Sequence, residues 1–202
     1  MAKIEAFGVQ LDDKQGFSML VVDNFLDGFD ALKEYATTAA FNSEVNEVDG
    51  AVYPAINFEI PHHIKDEFIT SIEDKRGFKI DPRLIFLRAN QVGSPEPYQA
   101  HNDLNMGKYT CIVYLTDDGG TAFVKHRETG MDRNDPELAD VWHRDCNNHD
   151  AWEVTDFCEM KPNKALFFDA ELMHRGEPVS GYGQGTDARM IMVCFYDRMP
   201  EC

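Results

Sequence analysis

The stretch YQAHNDL, Tyr98 to Leu104, sets His101 and Asp103 two residues apart, just ahead of the apolar run TCIVYL. On a strand, residues i and i+2 project from the same face. The spacing therefore puts an imidazole nitrogen beside a carboxylate oxygen, two of the three donors that a metal site needs. The pair alone carries little weight. With 7 His and 21 Asp in 202 residues, random placement gives roughly 0.7 His-x-Asp pairs, and the chain has two, the other being His143-Arg-Asp145.

Context separates the two pairs. His143 and Asp145 lie in VWHRDCNNHD, polar and without a strand pattern, which predicts a solvated loop. The same stretch holds His143, Cys146 and His149 in a His-x2-Cys-x2-His spacing, a conceivable minor zinc cluster that lacks a fourth ligand other than Cys158. His101 and Asp103 instead lead into KYTCIVYLT, where Thr110, Ile112 and Tyr114 share one strand face. The run KALFFDAELMH then ends a hydrophobic strand in a turn and sets His174 beyond it. Two His and one carboxylate occupy one face of an octahedral iron and leave three positions open, as in non-haem Fe(II) oxygenases. Taken singly, His174 also fits a surface turn. Arg189 opens the apolar run RMIMVCFY, where a buried guanidinium is costly without an anionic partner. Its fork matches a carboxylate. The competing expectation is an arginine at a strand end that snorkels to water.

The elements that must position these residues divide the chain in two. SMLVVDNF, Ser18 to Phe25, is expected to be a buried strand, followed by a helix over FDALKEYATTAAF with an apolar stripe of Phe29, Leu32, Ala36 and Ala39, capped by Asp27 or Asp30. Asn42 to Pro61 is polar and turn-rich around a short run at AINFEI, and HHIKDEFITSIEDKRG is a second helix ending at Gly77. From RLIFLRANQ onward the texture is strands: KYTCIVYLT, TAFVKH, KALFFDA and ARMIMVCFY, broken by turn residues. Strands without crossover helices predict an antiparallel sandwich or jelly roll. Glu128 to Asn163 interrupts them as a long polar insert carrying Trp142 and Trp152. The expected architecture is one domain over 1–202. Residues 1–80 form helical and strand support, and 81–202 form a jelly-roll core, a double-stranded β-helix, with the insert at 128–163.

Thirty-six acidic against 19 basic residues give a net charge of −17 and a pI near 4.6. That field repels phosphate backbones, so no nucleic-acid partner is expected, and the short Lys125 to Arg127 run does not change this. The five cysteines (Cys111, Cys146, Cys158, Cys194 and Cys202) form no CxxC pair, which points to a reducing, cytoplasmic setting. The N-terminus has no apolar signal core and no run is long enough to span a membrane, so no membrane partner is expected.

In order and spacing, the blocks YQAHND, TCIVYLTDDGGTAF, NKALFFDAELMHRGEPV and ARMIMVCFYD resemble the 2-oxoglutarate- and Fe(II)-dependent dioxygenases, in particular the prolyl 4-hydroxylase-like branch. The resemblance covers 83–127 and 163–198, more loosely 20–41. It implies that His101, Asp103 and His174 bind Fe(II) and that Arg189 holds the distal carboxylate of the co-substrate 2-oxoglutarate. It also implies that Tyr114 bonds the same carboxylate and that Tyr98 lines the site, although core packing explains either tyrosine as well. Arg189 follows His174 by 15 residues, a longer gap than usual, with GYGQG absorbing the difference. The implied reaction consumes O2 and hydroxylates a C–H bond of a small-molecule or peptide substrate, prolyl residues and free amino acids both being open. A jelly-roll binding protein that retains the metal site without catalysis is the alternative. Nucleic-acid demethylation by the same chemistry is disfavoured by the charge. Glu128 to Asn163 and Asn42 to Pro61 are the expected substrate-covering segments.

Overall fold

The computed structural model describes residues 4–5, 19–47 and 50–200; Ser18 and Cys202 lie outside the described residues. The strands are β1 (Ile4–Glu5), β2 (Met19–Val22), β3 (Asn42–Val45), β4 (Val52–Asn57), β5 (Ile80–Asn90), β6 (Tyr109–Tyr114), β7 (Gly120–His126), β8 (Trp152–Glu159), β9 (Ala165–Asp169), β10 (His174–Glu177) and β11 (Arg189–Arg198). The helices are α1 (Phe29–Thr38), α2 (His62–Arg76) and α3 (Ala139–Asp145). Eight strands form one sheet in the order β1-β2-β9-β6-β11-β5-β4-β3, and β10-β7-β8 form a second. The sheets face each other as a jelly roll, and every pairing is antiparallel.

Alternation along the central strands builds two cores. On β11, Met190, Met192, Cys194 and Tyr196 face α1 and α2, where they meet Leu32, Phe68 and Ile72. Ile191, Val193 and Phe195 face the second sheet and pack with Ile112, Tyr114, Phe123 and Phe168. A strand buried on both faces has no polar row, which is why ARMIMVCFY is apolar throughout. Arg189 has the parity of Ile191 and so belongs to the inner row.

Both expected helices form. In α2, Ile64, Phe68 and Ile72 are buried at the helical spacing, and Gly77 ends it at φ 71°. In α1, Leu32 and Ala36 are buried, but neither Asp27 nor Asp30 caps it. The N-cap is Gly28, whose N–H donates to Glu67 Oε1 of α2 at 2.6 Å. A side chain at Gly28 would push that carboxylate aside.

Two segments differ from expectation. Asn42 to Pro61 contains the hairpin β3–β4, in which β3 is mostly exposed and β4, largely half-buried, carries Pro54 and a left-handed Ala55 (φ 54°). Exposure and a kink remove both strand signals, alternation and propensity. The insert is not a structureless loop: it contains two single 3-10 turns, α3 and all of β8. Among the described residues no helix is long and apolar enough to cross a membrane.

Candidate metal centre and cavity

His101 sits in a short segment ahead of β6, and His174 opens β10, 73 positions later. Their backbones form an isolated antiparallel bridge, His101 N–H to His174 O at 3.0 Å and the reverse at 2.8 Å. The bridge fixes the two imidazoles side by side, with ring centroids 4.5 Å apart. Asp103 is tied down by its own N–H to Ala170 O at 2.8 Å, and Thr110 donates to its Oδ2 at 3.4 Å. One ligand atom each from His101, Asp103 and His174 lies within 4.8 Å of the others.

The orientation of the rings fits a metal. His101 Nδ1 meets Gln99 O at 3.1 Å, and His174 Nδ1 meets Leu172 O at 2.9 Å. A carbonyl only accepts, so each Nδ1 carries the proton and each Nε2 offers its lone pair. Both Nε2 atoms point at Asp103, His174 at 3.3 Å and His101 at 3.7 Å. Ligating histidines commonly donate their other ring N–H to a partner such as these two carbonyls. Burial lowers the His101 pKa, with the neighbouring His174 adding to the effect. Burial pushes His174 down too, but attraction to Asp103 outweighs it and the net shift is upward. Burial pushes Asp103 up, and the two imidazoles more than reverse this. Three donors held close, His174 buried and His101 and Asp103 half-buried, with one net carboxylate charge, form a set that a divalent cation satisfies.

A cavity of about 540 Å³ opens onto this cluster. Arg189 also lines it, 5% exposed, with Nη2 donating to Gly120 O at 3.1 Å and Nε without a partner among the described residues. Burial lowers its pKa. The snorkelling alternative is therefore excluded. Gly176 backs the guanidinium, and a Cβ there would lie 3.3 Å from Arg189 Cζ. Tyr114 is fully buried behind Thr121, to which its hydroxyl donates at 2.9 Å, and it is Thr121 that lines the cavity. Burial holds the Tyr114 hydroxyl well above its ordinary pKa. Tyr98 lines the cavity with its ring 5.2 Å from Trp142.

The second His-x-Asp pair is taken apart by the fold. Asp145 is buried rather than solvated, bonded to His126 Nε2 at 3.0 Å and to Arg144. His143 packs on Trp142, exposed His149 lies 3.8 Å from Glu177, and Cys158 is in the inter-sheet core. The conceivable zinc cluster is not assembled: among the described residues, the one grouping with metal-ligand geometry is His101, Asp103 and His174. Polar texture concealed Asp145 because its partner, His126, comes from β7.

Two features escaped the sequence. The insert grips the ligand segment: Trp142 Nε1–H donates to Ala100 O at 2.8 Å, Ala100 N–H to Cys146 O at 2.9 Å, and Gln99 N–H to Asn147 Oδ1 at 2.9 Å. Arg88, inward on β5, pairs with Glu96. The strand parity of RLIFLRAN puts Arg88 in the row of Leu84 and Phe86 and could have revealed the second. The insert and the β3–β4 hairpin both border the cavity, through Met131, Pro136 and Trp142 and through Tyr53, Ile56 and nearby Phe58.

No protein-family model and no curated protein matches the sequence. Solved structures do match in fold. AviO1 from Streptomyces viridochromogenes Tue57 superposes with a TM-score of 0.56 at 14% identity, over 96% of this chain and 98% of that one. SnoK from nogalamycin biosynthesis, a non-haem alpha-ketoglutarate-dependent carbocyclase, gives 0.56 at 15% identity over 92% and 83%. HygX from Streptomyces hygroscopicus, with nickel, 2-oxoglutarate and hygromycin B bound, gives 0.54 at 14% identity over 92% and 87%. The chain thus shares its jelly-roll fold with non-haem, 2-oxoglutarate-dependent enzymes.

Proposed function

We propose that the protein is an Fe(II)- and 2-oxoglutarate-dependent oxygenase that hydroxylates a C–H bond of a small-molecule, amino-acid or peptide substrate. The observation that carries this is one cavity lined both by a two-His, one-carboxylate donor set and by a buried arginine with an unpaired Nε. The alpha-ketoglutarate dependence of SnoK and the nickel and 2-oxoglutarate bound to HygX, which share the fold, support it. His101, Asp103 and His174 would hold the iron, and Arg189 would hold the distal carboxylate of 2-oxoglutarate. With both bound, the site supplies an oxidant from O2, one oxygen atom going to succinate with release of CO2 and the other to the substrate C–H.

The residues of the chain do the rest. The carbonyls of Gln99 and Leu172 keep both imidazoles in the tautomer that presents Nε2. Thr110 steadies the Asp103 oxygen nearer to it. Gly176 leaves room for the Arg189 fork, which binds a carboxylate in two parallel hydrogen bonds. Ile112, Ile191 and Val193 form an apolar floor that keeps water away from the reacting centre. The four described cysteines are free and buried, which suits a reducing cytoplasm.

The test is anaerobic addition of Fe(II) and 2-oxoglutarate to the full chain. A weak visible charge-transfer band should appear, and on admitting O2 2-oxoglutarate should be converted to succinate. His174→Ala should abolish both. A wild type with neither band nor succinate would leave a jelly-roll binding protein, and the proposal would fall.

A further inference from the structure

One polar station in the cavity is not used by the metal cluster or by Arg189. On β5, Arg88 and Asn90 share the inward row with Leu84 and Phe86, and Asn90 lies opposite Arg189 in the register of β11. Glu96, from the loop after β5, reaches back to this row. Both of its oxygens contact Arg88 Nη2, at 2.9 and 2.8 Å, and Asn90 Nδ2 donates to Oε1. Arg88 stacks over the Tyr53 ring at 5.5 Å.

Neither end of this station is saturated. The pairing with Glu96 runs through Nη2 alone, and Arg88 Nε has no partner among the described residues. Asn90 is 5% exposed and lines the cavity, yet its Oδ1 accepts nothing. A buried polar atom left unpaired costs about 1–3 kcal/mol, and both of these belong to residues that line the cavity, where a ligand's groups can answer them. The unmet demands are of two kinds and adjacent: a guanidinium with donors to spare, and an amide oxygen beside a carboxylate. One small group answers both, an ammonium next to a carboxylate. Charge agrees, because Arg88 and Glu96 cancel and a zwitterion adds no net charge. Beyond the station the row continues as Phe86 and Leu84 beside Phe58, an apolar track.

We infer that the substrate is a free α-amino acid with an apolar side chain, its carboxylate on Arg88, its ammonium between Glu96 and Asn90 Oδ1, and its side chain on the Phe86–Leu84 track. This assignment rests on the oxygenase reading of the cavity. Arg88 and Glu96 are then specificity-determining residues, and Arg189 serves the co-substrate alone.

The experiment is calorimetric titration of the full chain, with Ni(II) and 2-oxoglutarate and again without them, using L-phenylalanine and L-leucine as probes and phenethylamine and hydrocinnamate as controls. Each control lacks one of the two charges. Both amino acids should bind one to one, and the controls at least about tenfold more weakly, the scale of a lost charge-assisted hydrogen bond. Arg88→Gln should weaken L-phenylalanine about tenfold or more and leave 2-oxoglutarate binding unchanged, whereas Arg189→Gln should do the reverse. Glu96→Gln should weaken L-phenylalanine but tighten hydrocinnamate, because it releases Arg88. If Arg88→Gln melts early by circular dichroism, Arg88→Lys, which keeps the charge and loses the fork, is read in its place. The inference is overturned if neither amino acid binds, if phenethylamine or hydrocinnamate binds as well as L-phenylalanine, or if Arg88→Gln impairs 2-oxoglutarate as much as Arg189→Gln does. Failure of the wild type to bind 2-oxoglutarate would instead sink the oxygenase assignment, and the metal-free titration would still report on the amino-acid station.

Discussion

Replacing Trp142 by Phe removes one N–H and keeps an aromatic ring against Tyr98. The lost donor is the partner of Ala100 O at 2.8 Å, and Ala100 is completely buried. Stranding a buried carbonyl costs about 1–3 kcal/mol, so urea denaturation should show a loss in that range. A second effect reaches the metal, because Ala100 is bonded directly to His101, whose Nε2 must stay on target. Direct outer-shell partners of metal ligands are worth about 10–100-fold in affinity. Trp142 acts one residue further out, so Ni(II) should bind about 3–10-fold more weakly. The control is Trp152→Phe, which deletes a similar bond in the same insert, Nε1–H to Asp145 O at 2.8 Å, and leaves the Ala100 carbonyl paired. Because the Trp152 indole N–H holds no atom of the 99–103 segment, this variant should cost stability and leave Ni(II) affinity alone. The reasoning is refuted if Trp142→Phe loses stability with no change in Ni(II) affinity, or if both variants weaken the metal equally. Either result would mean that the insert packs on the ligand segment without holding it in place.

Gly176→Ala would set a methyl 3.3 Å from Arg189 Cζ, tighter than ordinary contact, and the displaced fork should raise the 2-oxoglutarate Kd by about 3–10-fold in calorimetry with Ni(II) present; an unchanged Kd would mean that Arg189 does not hold the co-substrate. Asn163 is left-handed at φ 62° and bonds both Leu26 N–H and Leu26 O at 2.8 Å, so Asn163→Ala should cost about 2–4 kcal/mol in denaturant, and Asn163→Gly should cost about 1 kcal/mol less. The Arg144 guanidinium, helped by His126 and opposed by burial, holds the Asp145 carboxyl below its ordinary 3.8. A group depressed in the folded state stabilises above its unfolded pKa, and that contribution disappears as pH falls through the folded value. Asp145→Asn should therefore be less stable at neutral pH and lose less stability from about pH 5 to about pH 2, followed by the fluorescence of Trp142 and Trp152; a parallel acid profile for the two proteins would contradict this.

What the sequence reveals and what it hides follow the same physics. β11 was legible because two cores claim alternate residues of RMIMVCFY, so the one charged residue at its head had to be explained, and burial of Arg189 is the explanation. His101 and Asp103 were legible as a pair because strand geometry makes i, i+2 local. Their partner was harder to identify, since only the backbone bridge to His174 closes the 73-residue gap. β3 and β8 were invisible for the opposite reason. β3 buries no residue, and β8 buries only Trp152 and Cys158, so neither has an apolar row to signal its period. The insert hid its role more completely, because it grips Ala100 through backbone atoms that every residue type carries. Arg88 stands between these cases. Its place in the inward row can be read from RLIFLRAN, but its partner Glu96 lies in a loop, where no periodicity fixes direction. A charged residue in an inward strand row is therefore a site signal that sequence can raise by itself, whereas the identity of its counter-charge, and so the chemistry of the ligand, is set only when the loops close over the sheet.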